Sequence, residues 1–240
     1  MKPRPKPKPT IKNAAAVFPS PERRRVLLVD DHPFMRAGLA QLINKQPDMI
    51  VCGESGDPAA ALSEISRTQV DLVLTDITMP GRSGLEFIKG LRAMNLNLPV
   101  LVVSMHDETL YAERVLRAGA RGYIMKEAGG ENLLLAIRQV LSGGVYVSHR
   151  MSAKILDGLS GQKPRGSSST VGTLSDREFE VFQLIGHGSS TRDIAKQLHL
   201  STKTVDVHRG HIKEKLELTD STALIRHAVR WVESQGHGGV

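Results

Sequence analysis

Five short runs of the chain are apolar almost throughout, at 26–29, 49–52, 70–74, 99–103 and 121–125. Runs this short and this apolar suit strands buried on both faces of a parallel sheet. Amphipathic stretches of helical length follow them, at 33–45, 58–67, 84–94, 107–118 and 130–142. The alternation predicts an α/β unit over residues 26–142: a doubly wound five-stranded parallel sheet. Past residue 172 the strand pattern stops. Residues 173–236 carry four short helical patterns, which predict a second, smaller all-α domain. Ser175-x-x-Glu178 reads as a capping box that opens the first of them. Ser190, Ser201 and Asp220 stand at the N-cap positions of the other three. The joint at 143–172 is predicted to be a linker. Its second half is rich in Gly and Ser, and its first half leaves room for a helix around Met151, Ile155 and Leu156.

Composition narrows the class. A chain of 240 residues holds one or two domains. The lone Cys52 excludes an intramolecular disulfide framework and a Cys-based zinc cluster. No apolar stretch approaches the roughly 20 residues of a membrane span. The basic N-terminus is followed by no apolar region of the secretory kind, so a cytoplasmic location is expected. The net charge is +7, and all of it lies in residues 1–25, where eight Lys or Arg face the single acid Glu22. Lys and Arg alternate with Pro there, which predicts a disordered, extended tail. A solvated extension and a non-specific phosphate-binding arm both fit it. The remaining residues are neutral in sum, so the bulk charge is no argument for nucleic-acid binding by the folded body.

Ligands of an open parallel sheet bind outside the carboxyl ends of its strands. Four of the five strands end there in a polar residue: Asp30 with Asp31, Asp76, Ser104 and Lys126. Three carboxylates brought together repel, and a hard divalent cation relieves that repulsion. Mg²⁺ is such a cation, held by one or two carboxylates plus water and phosphate oxygens. A lysine pairs with an anion as a point charge, and a serine hydroxyl donates one more bond. This set suits phosphoryl transfer, in which positioning and charge neutralisation dominate. One carboxylate then serves as the nucleophile.

On these residues the stretch 26–142 resembles the receiver domain of two-component response regulators, a flavodoxin-like fold. The resemblance rests on Asp30-Asp31, on Asp76 followed by Met79-Pro80-Gly81, on Ser104, and on Lys126 preceded by Tyr123. It implies that Asp76 accepts a phosphoryl group from a sensor histidine kinase. It implies a Mg²⁺ site made by Asp31, Asp76 and the backbone carbonyl of Thr78, with Asp30 acting through water. It also implies that Ser104 and Tyr123 form a switch and that Lys126 contacts the phosphate. Phosphorylation adds roughly −1.5 to −2 charge. The Ser104 hydroxyl is expected to turn toward it, and Tyr123 to move inward into the vacated space.

The second and third helical patterns of the C-terminal unit are joined by the short segment His199-Leu200-Ser201, the helix-turn-helix arrangement. At about 100° per residue, Val205, His208, Ile212 and Leu216 fall on one side of the third helix and face the core. Lys203, Asp206, Val207, Gly210 and Lys213 fall on the opposite side, toward base edges. Thr204, Arg209, His211 and Lys215 lie on the flanks, where phosphate contacts are expected. Residues 173–235 are similar to the LuxR-type helix-turn-helix of the NarL/FixJ subfamily. The matching residues are 174–178, Asp193-Ile194-Ala195, 202–208 and Lys215-Leu216. The similarity implies sequence-specific binding of double-stranded promoter DNA as a homodimer, with the fourth helix at the dimer contact.

The combined reading is a phosphorylation-activated transcription regulator in which the receiver restrains the DNA module until Asp76 is modified. Two other readings use the same residues. A Mg²⁺-dependent phosphatase or phosphotransferase would turn over small phosphomonoesters. A receiver working through protein contacts alone would be indifferent to Mg²⁺ and phosphodonor.

Overall fold

A computed structural model describes residues 23–79, 83–94, 97–159 and 171–236. Residues 1–22, with nearly all of the basic tail, lie outside these, as do Pro80, Gly81 and most of the Gly/Ser-rich joint. The first unit is built from β1 (Arg24–Val29), α1 (Pro33–Asn44), β2 (Met49–Ser55), α2 (Pro58–Ile65), β3 (Leu72–Thr75), α3 (Gly84–Ala93), β4 (Val100–Ser104), α4 (Glu108–Ala118), β5 (Gly122–Met125) and α5 (Gly130–Leu141). All strand pairs are parallel, in the order β2-β1-β3-β4-β5. The order reverses between β1 and β3, so a crevice opens where both strands end in aspartate.

Both faces of the sheet are covered, which is why the strand runs are apolar throughout. Val26, Leu28, Leu72, Leu74, Leu101 and Val103 pack under α1 and α5. Leu27, Val29, Val73, Val100 and Val102 point the other way, toward α2, α3 and α4. The chain after α5 returns to β5, where Tyr146 exchanges backbone bonds with Arg121 and Tyr123 and covers the open edge. A Cβ on Gly122 would lie 2.8 Å from the Tyr146 carbonyl oxygen, so this close approach needs glycine.

Part of the joint is ordered. α6 (His149–Leu159) occupies the first half of the segment read as linker and buries Met151. The Ser148 N–H just before it donates to Glu108 Oε1 on α4 at 2.7 Å.

The second unit holds α7 (Asp176–Gly186), α8 (Thr191–Gln197), α9 (Thr202–Lys215) and α10 (Ser221–Gly236). The Ser175–Glu178 capping box forms in full. Ser190 and Ser201 accept from Asp193 N–H and Thr204 N–H, and Asp220 accepts from Ala223 N–H. Each such cap is worth about 1 kcal/mol, so the helix starts are fixed locally. Phe179, Phe182, Val205, Ile212, Leu224 and Ala228 form the shared core.

The two units touch. Arg114 on α4 donates to the carbonyls of Leu174 (3.0 Å) and Val171 (2.9 Å), and its guanidinium lies 3.9 Å over the Phe179 ring. Lys89 on α3 pairs with Asp176 at 2.7 Å. Tyr111 meets Phe179 edge-on, with ring centroids 5.5 Å apart.

Candidate functional site

The carboxyl ends of β1, β3, β4 and β5 bring Asp30, Asp31, Asp76, Ser104 and Lys126 to one edge. Parallel pairing does this directly: Val29 lies beside Thr75, so the aspartates that follow them are neighbours. The Asp76 N–H donates to the Val29 carbonyl at 2.9 Å, which locks the two strand ends together. The Asp76 side chain accepts from Ile77 N–H at 2.6 Å through Oδ1 and from Lys126 Nζ at 2.6 Å through Oδ2. Lys126 also reaches Asp30 Oδ2 at 2.8 Å. The other oxygen of Asp30 accepts from His32 N–H at 2.8 Å, and Arg36 donates to the Asp30 carbonyl. One ammonium therefore serves two buried carboxylates.

Electrostatics follow from that shortage. Burial pushes the Asp76 carboxyl above the ordinary value for aspartate; Lys126 pulls it down, and Asp30 adds to the push. Burial works against the Lys126 ammonium too, but Asp76 and Asp30 leave it held above its usual value.

One carboxylate oxygen each of Asp30, Asp31 and Asp76, with a ring nitrogen of His32, lie within 4.8 Å of one another. Asp31 Oδ1 is buried and accepts no hydrogen bond. His32 Nδ1 sits 2.9 Å from it, but bonds Asp30 Oδ1 at 3.0 Å. An orphaned carboxylate oxygen beside two more carboxylates is a hard-oxygen donor set, and it fits a magnesium-like cation.

Ser104 and Tyr123 are both fully buried. Ser104 Oγ accepts from His106 N–H at 3.2 Å, and the Tyr123 hydroxyl donates to the His106 carbonyl at 2.7 Å. Tyr123 is therefore already inside. The ring packs on the face of the sheet that α4 covers, in one cluster with Tyr111, Ala112 and Val115. Burial also pushes its phenol well above the usual value, with Ser104 opposing.

Two residues not singled out from the sequence complete the surroundings. His106 bonds Thr78 Oγ1 through Nε2 at 2.7 Å and stacks on Tyr111, with centroids 4.8 Å apart. Burial, then the nearby charges of Lys126 and His187, lowers its imidazole below the ordinary value. Gly84 starts α3 directly against the β3 end. A Cβ there would fall 2.1 Å from the Asp76 carbonyl oxygen, so only glycine lets the helix approach. A glycine two residues after Pro80-Gly81-Arg82 was the available signal.

On α9, Val205, Ile212 and Leu216 are buried, and His208 is half-buried with its Nδ1 unpartnered. Lys203, Asp206, Val207 and His211 are exposed; Thr204, Gly210 and Lys213 are partly so. Space around Gly210 is open, so nothing within the chain requires glycine there. All four flank residues have neighbours within the chain: Thr204 Oγ1 lies 2.7 Å from Ser201 Oγ, and His211 Nδ1 lies 3.7 Å from Glu178 Oε1. Lys215 pairs with Glu178 at 2.6 Å, and Arg209 donates to Thr191 Oγ1 at 3.0 Å. Both have partners other than phosphate, because α9 packs on α7 and α8 along those flanks. The first unit meets α7 and the turn before α9, where His199 Nε2 lies 4.0 Å from Asp31. It leaves Lys203, Asp206 and Val207 open.

Comparison with known proteins gives the same two parts. Residues 26–138 match the family described as the response regulator receiver domain, and residues 172–228 match the bacterial regulatory proteins of the luxR family. The chain is 34% identical over 210 residues to the oxygen regulatory protein NreC of Staphylococcus haemolyticus, covering 86% of this chain and 97% of that protein. The NreC of Staphylococcus carnosus is 32% identical over the same length and shares. A LuxR-family two-component response regulator from Aurantimonas is 31% identical, with a TM-score of 0.54 over 57% of this chain and 99% of that one. The RcsB response regulator of Salmonella typhimurium is 25% identical, with a TM-score of 0.53 over 85% and 97%. No described helix is long and apolar enough to cross a membrane.

Proposed function

The chain belongs to the response regulators that join a receiver domain to a LuxR-type DNA-binding module, and on that premise we propose that Asp76 is its phosphoacceptor. Chains of this family, this one included, are phosphorylation-dependent DNA-binding transcription regulators. The observation that supports Asp76 is the charge deficit around it: Lys126 is shared with Asp30, and Asp31 keeps a buried oxygen without a bond.

The donor is the phosphohistidine of a sensor histidine kinase. An oxygen of Asp76 attacks phosphorus, the O–P bond forms, and the N–P bond breaks with its electron pair returning to the imidazole. Ile77 N–H orients the attacking carboxylate. Asp31, Asp76 and the carbonyl of Thr78 would hold Mg²⁺, with Asp30 acting through water. Such a cation, when bound, neutralises the phosphoryl oxygens. Lys126 then transfers its bond from Asp76 to the new phosphate. Ser104 Oγ–H turns to donate to the same group, and that rotation of the side chain carries Oγ away from His106 N–H.

His106 is where the consequence passes outward. Its carbonyl anchors Tyr123 and its ring stacks on Tyr111, which lies against Phe179 of the DNA module. A shift at Ser104 therefore biases the contact between the two units. Release would free the module to form a homodimer through α10 and to read inverted half-sites. Lys203, Asp206, Val207, Gly210 and Lys213 would face bases, and Thr204 and His211 the backbone. RcsB has been solved with the rprA promoter in the presence of the phosphomimetic BeF₃⁻, at 23% identity. That neighbour carries the fold, and the DNA-bound state is proposed for this chain by analogy.

Acetyl phosphate with Mg²⁺ tests the assignment. Intact-mass measurement should show one phosphoryl group on the chain and none on Asp76→Asn. Persistent labelling of that variant would overturn it.

A further inference from the structure

A groove of about 380 Å³ runs between α1 and α5. Phe34, Met35 and Leu42 wall it on α1, and Met125 and Leu133 wall it on the other side. Gly38 lowers the α1 wall: a Cβ there would meet nothing within 4 Å. Lys126 borders the groove as well, so it adjoins the aspartate crevice. Phe34 is 95% exposed. Single exposed apolar residues are ordinary, but a ring standing open beside an apolar groove of this size marks surface that a partner covers.

The entry of the chain points to the partner. Arg23 donates to the carbonyls of Asn44 and Gln46 at 3.1 and 3.0 Å, so residues 1–22 join the fold at the carboxyl end of α1. Phe18 is the only aromatic residue among them, and it follows Ala14-Ala15-Ala16-Val17. From Arg23 to Phe18 is an extended reach of about 17 Å. α1 has 12 residues and is about 18 Å long, so that reach spans the groove from Leu42 toward Phe34. Charge matches too. Residues 1–22 hold five Lys or Arg against Glu22. Glu127 and Glu131, both exposed, flank Gly129 and Gly130 in the groove wall.

We infer that the chain's own residues 14–18 dock in this groove, with the Phe18 ring against Met35, Leu42 and Leu133. Lys12 then comes within reach of Glu127 and Glu131. The tether makes the event intramolecular, so a small apolar contact suffices to hold it. Docked there, the segment lies beside Lys126 at the edge of the crevice. The docking does not depend on which carboxylate is the phosphoacceptor.

Disulfide trapping in the full chain is the test. Cys52→Ala first removes the one native thiol. Ala16→Cys is then paired with Ala37→Cys, on α1 beside Gly38, or with Ser63→Cys, exposed on α2 across the sheet. A disulfide needs the two Cα atoms within about 7 Å. Under mild oxidation the Ala37 pair is expected to close within one chain, roughly tenfold or more faster than the Ser63 pair. Phe18→Ser should remove that advantage. Gly38→Leu fills the groove and favours the helix, so it should do the same without weakening the fold. Equal closure rates overturn the inference, as does an advantage that survives Phe18→Ser or Gly38→Leu. Bridges between chains in place of one within a chain would seat a second copy in the groove, and overturn it too.

Discussion

Two lysine–carboxylate pairs in this molecule have the same geometry and opposite chemistry. Lys126 lies 2.6 Å from Asp76, and Lys215 lies 2.6 Å from Glu178; each carboxylate side chain is 5% exposed. Burial is the largest influence on both and opposes their charge. Yet Asp76 is held above its ordinary value, and Glu178 below. The difference is depth and company: Lys126 is 4% exposed, while Lys215 is 41% exposed. Glu178 has Lys215 and also receives Ser175 N–H at 2.7 Å within its capping box. Asp76 shares its lysine with Asp30 and faces Asp31. One cluster is complete and staples α7 to α9. The other is short of positive charge, and a cation with a phosphoryl group would make up the shortfall.

Removing the complete pair strips a cap and unpairs Lys215. Lys215 is 41% exposed and keeps its water, so Glu178→Ala is expected to cost about 2 kcal/mol. Trp231, the single tryptophan, packs against Phe179 and Phe182 and reports the module by fluorescence during thermal unfolding. A melting temperature unchanged by Glu178→Ala would erase the contrast.

Glu180 comes next, two residues from Glu178 and opposite in behaviour. Burial pushes its carboxyl from 4.5 up to about 7, against the pull of Arg177. A raised carboxyl favours the protonated folded state. Its stabilising contribution is therefore complete below about pH 4.5 and lost as pH rises through 7, a swing of about 3 kcal/mol. Urea unfolding between pH 5 and 8 should show that decline, and Glu180→Gln should flatten it. An equal slope in the variant would show that Glu180 is not the titrating group.

Asp76→Asn is the smaller and more telling case, because it should stabilise. Neutralising one of three crowded carboxylates is expected to raise the unfolding free energy read from urea titration at pH 7.5 in EDTA, by on the order of 1 kcal/mol. The sign follows from the raised Asp76 carboxyl. Its ionised form weakens the fold as pH climbs above the unfolded value, and the gain disappears in acid where both forms are neutral. Destabilisation by this variant would mean that the Lys126 bond outweighs the crowding.

Those differences mark how far the sequence could be read. The strands were legible because five apolar runs had no other use, and their polar ends fell at one edge by topology alone. The outward face of α9 was legible because helical spacing sorts Val205 and Ile212 from Asp206 and Val207. What spacing cannot show is a partner far along the chain. Lys215 and Glu178 are 37 residues apart, so Lys215 read as a phosphate contact. Arg114 lies 57 and 60 residues from the carbonyls of Val171 and Leu174 that it binds, so no local pattern marks the docking it carries. Tyr123 lies on β5 three residues before Lys126, but its hydroxyl meets the His106 carbonyl 17 residues back along the chain, and no local pattern encodes that.

The weakest effect separates a free lysine from a paired one within α9. Lys203 is exposed at the helix start, where a phosphate or base edge would meet it, while Lys215 is committed to Glu178. If Lys203 contacts DNA, Lys203→Gln removes one released counterion, and the slope of log affinity against log salt should fall by about 1. Lys215→Gln should leave that slope alone and instead lower the module's melting temperature. Fluorescence anisotropy on promoter DNA at several salt concentrations reads the first quantity, and Trp231 emission reads the second. A slope change in Lys215→Gln would mean that DNA draws this lysine away from Glu178. The complete cluster would then be a second exchange site, and the contrast with Asp76 would lie only in which anion displaces the carboxylate.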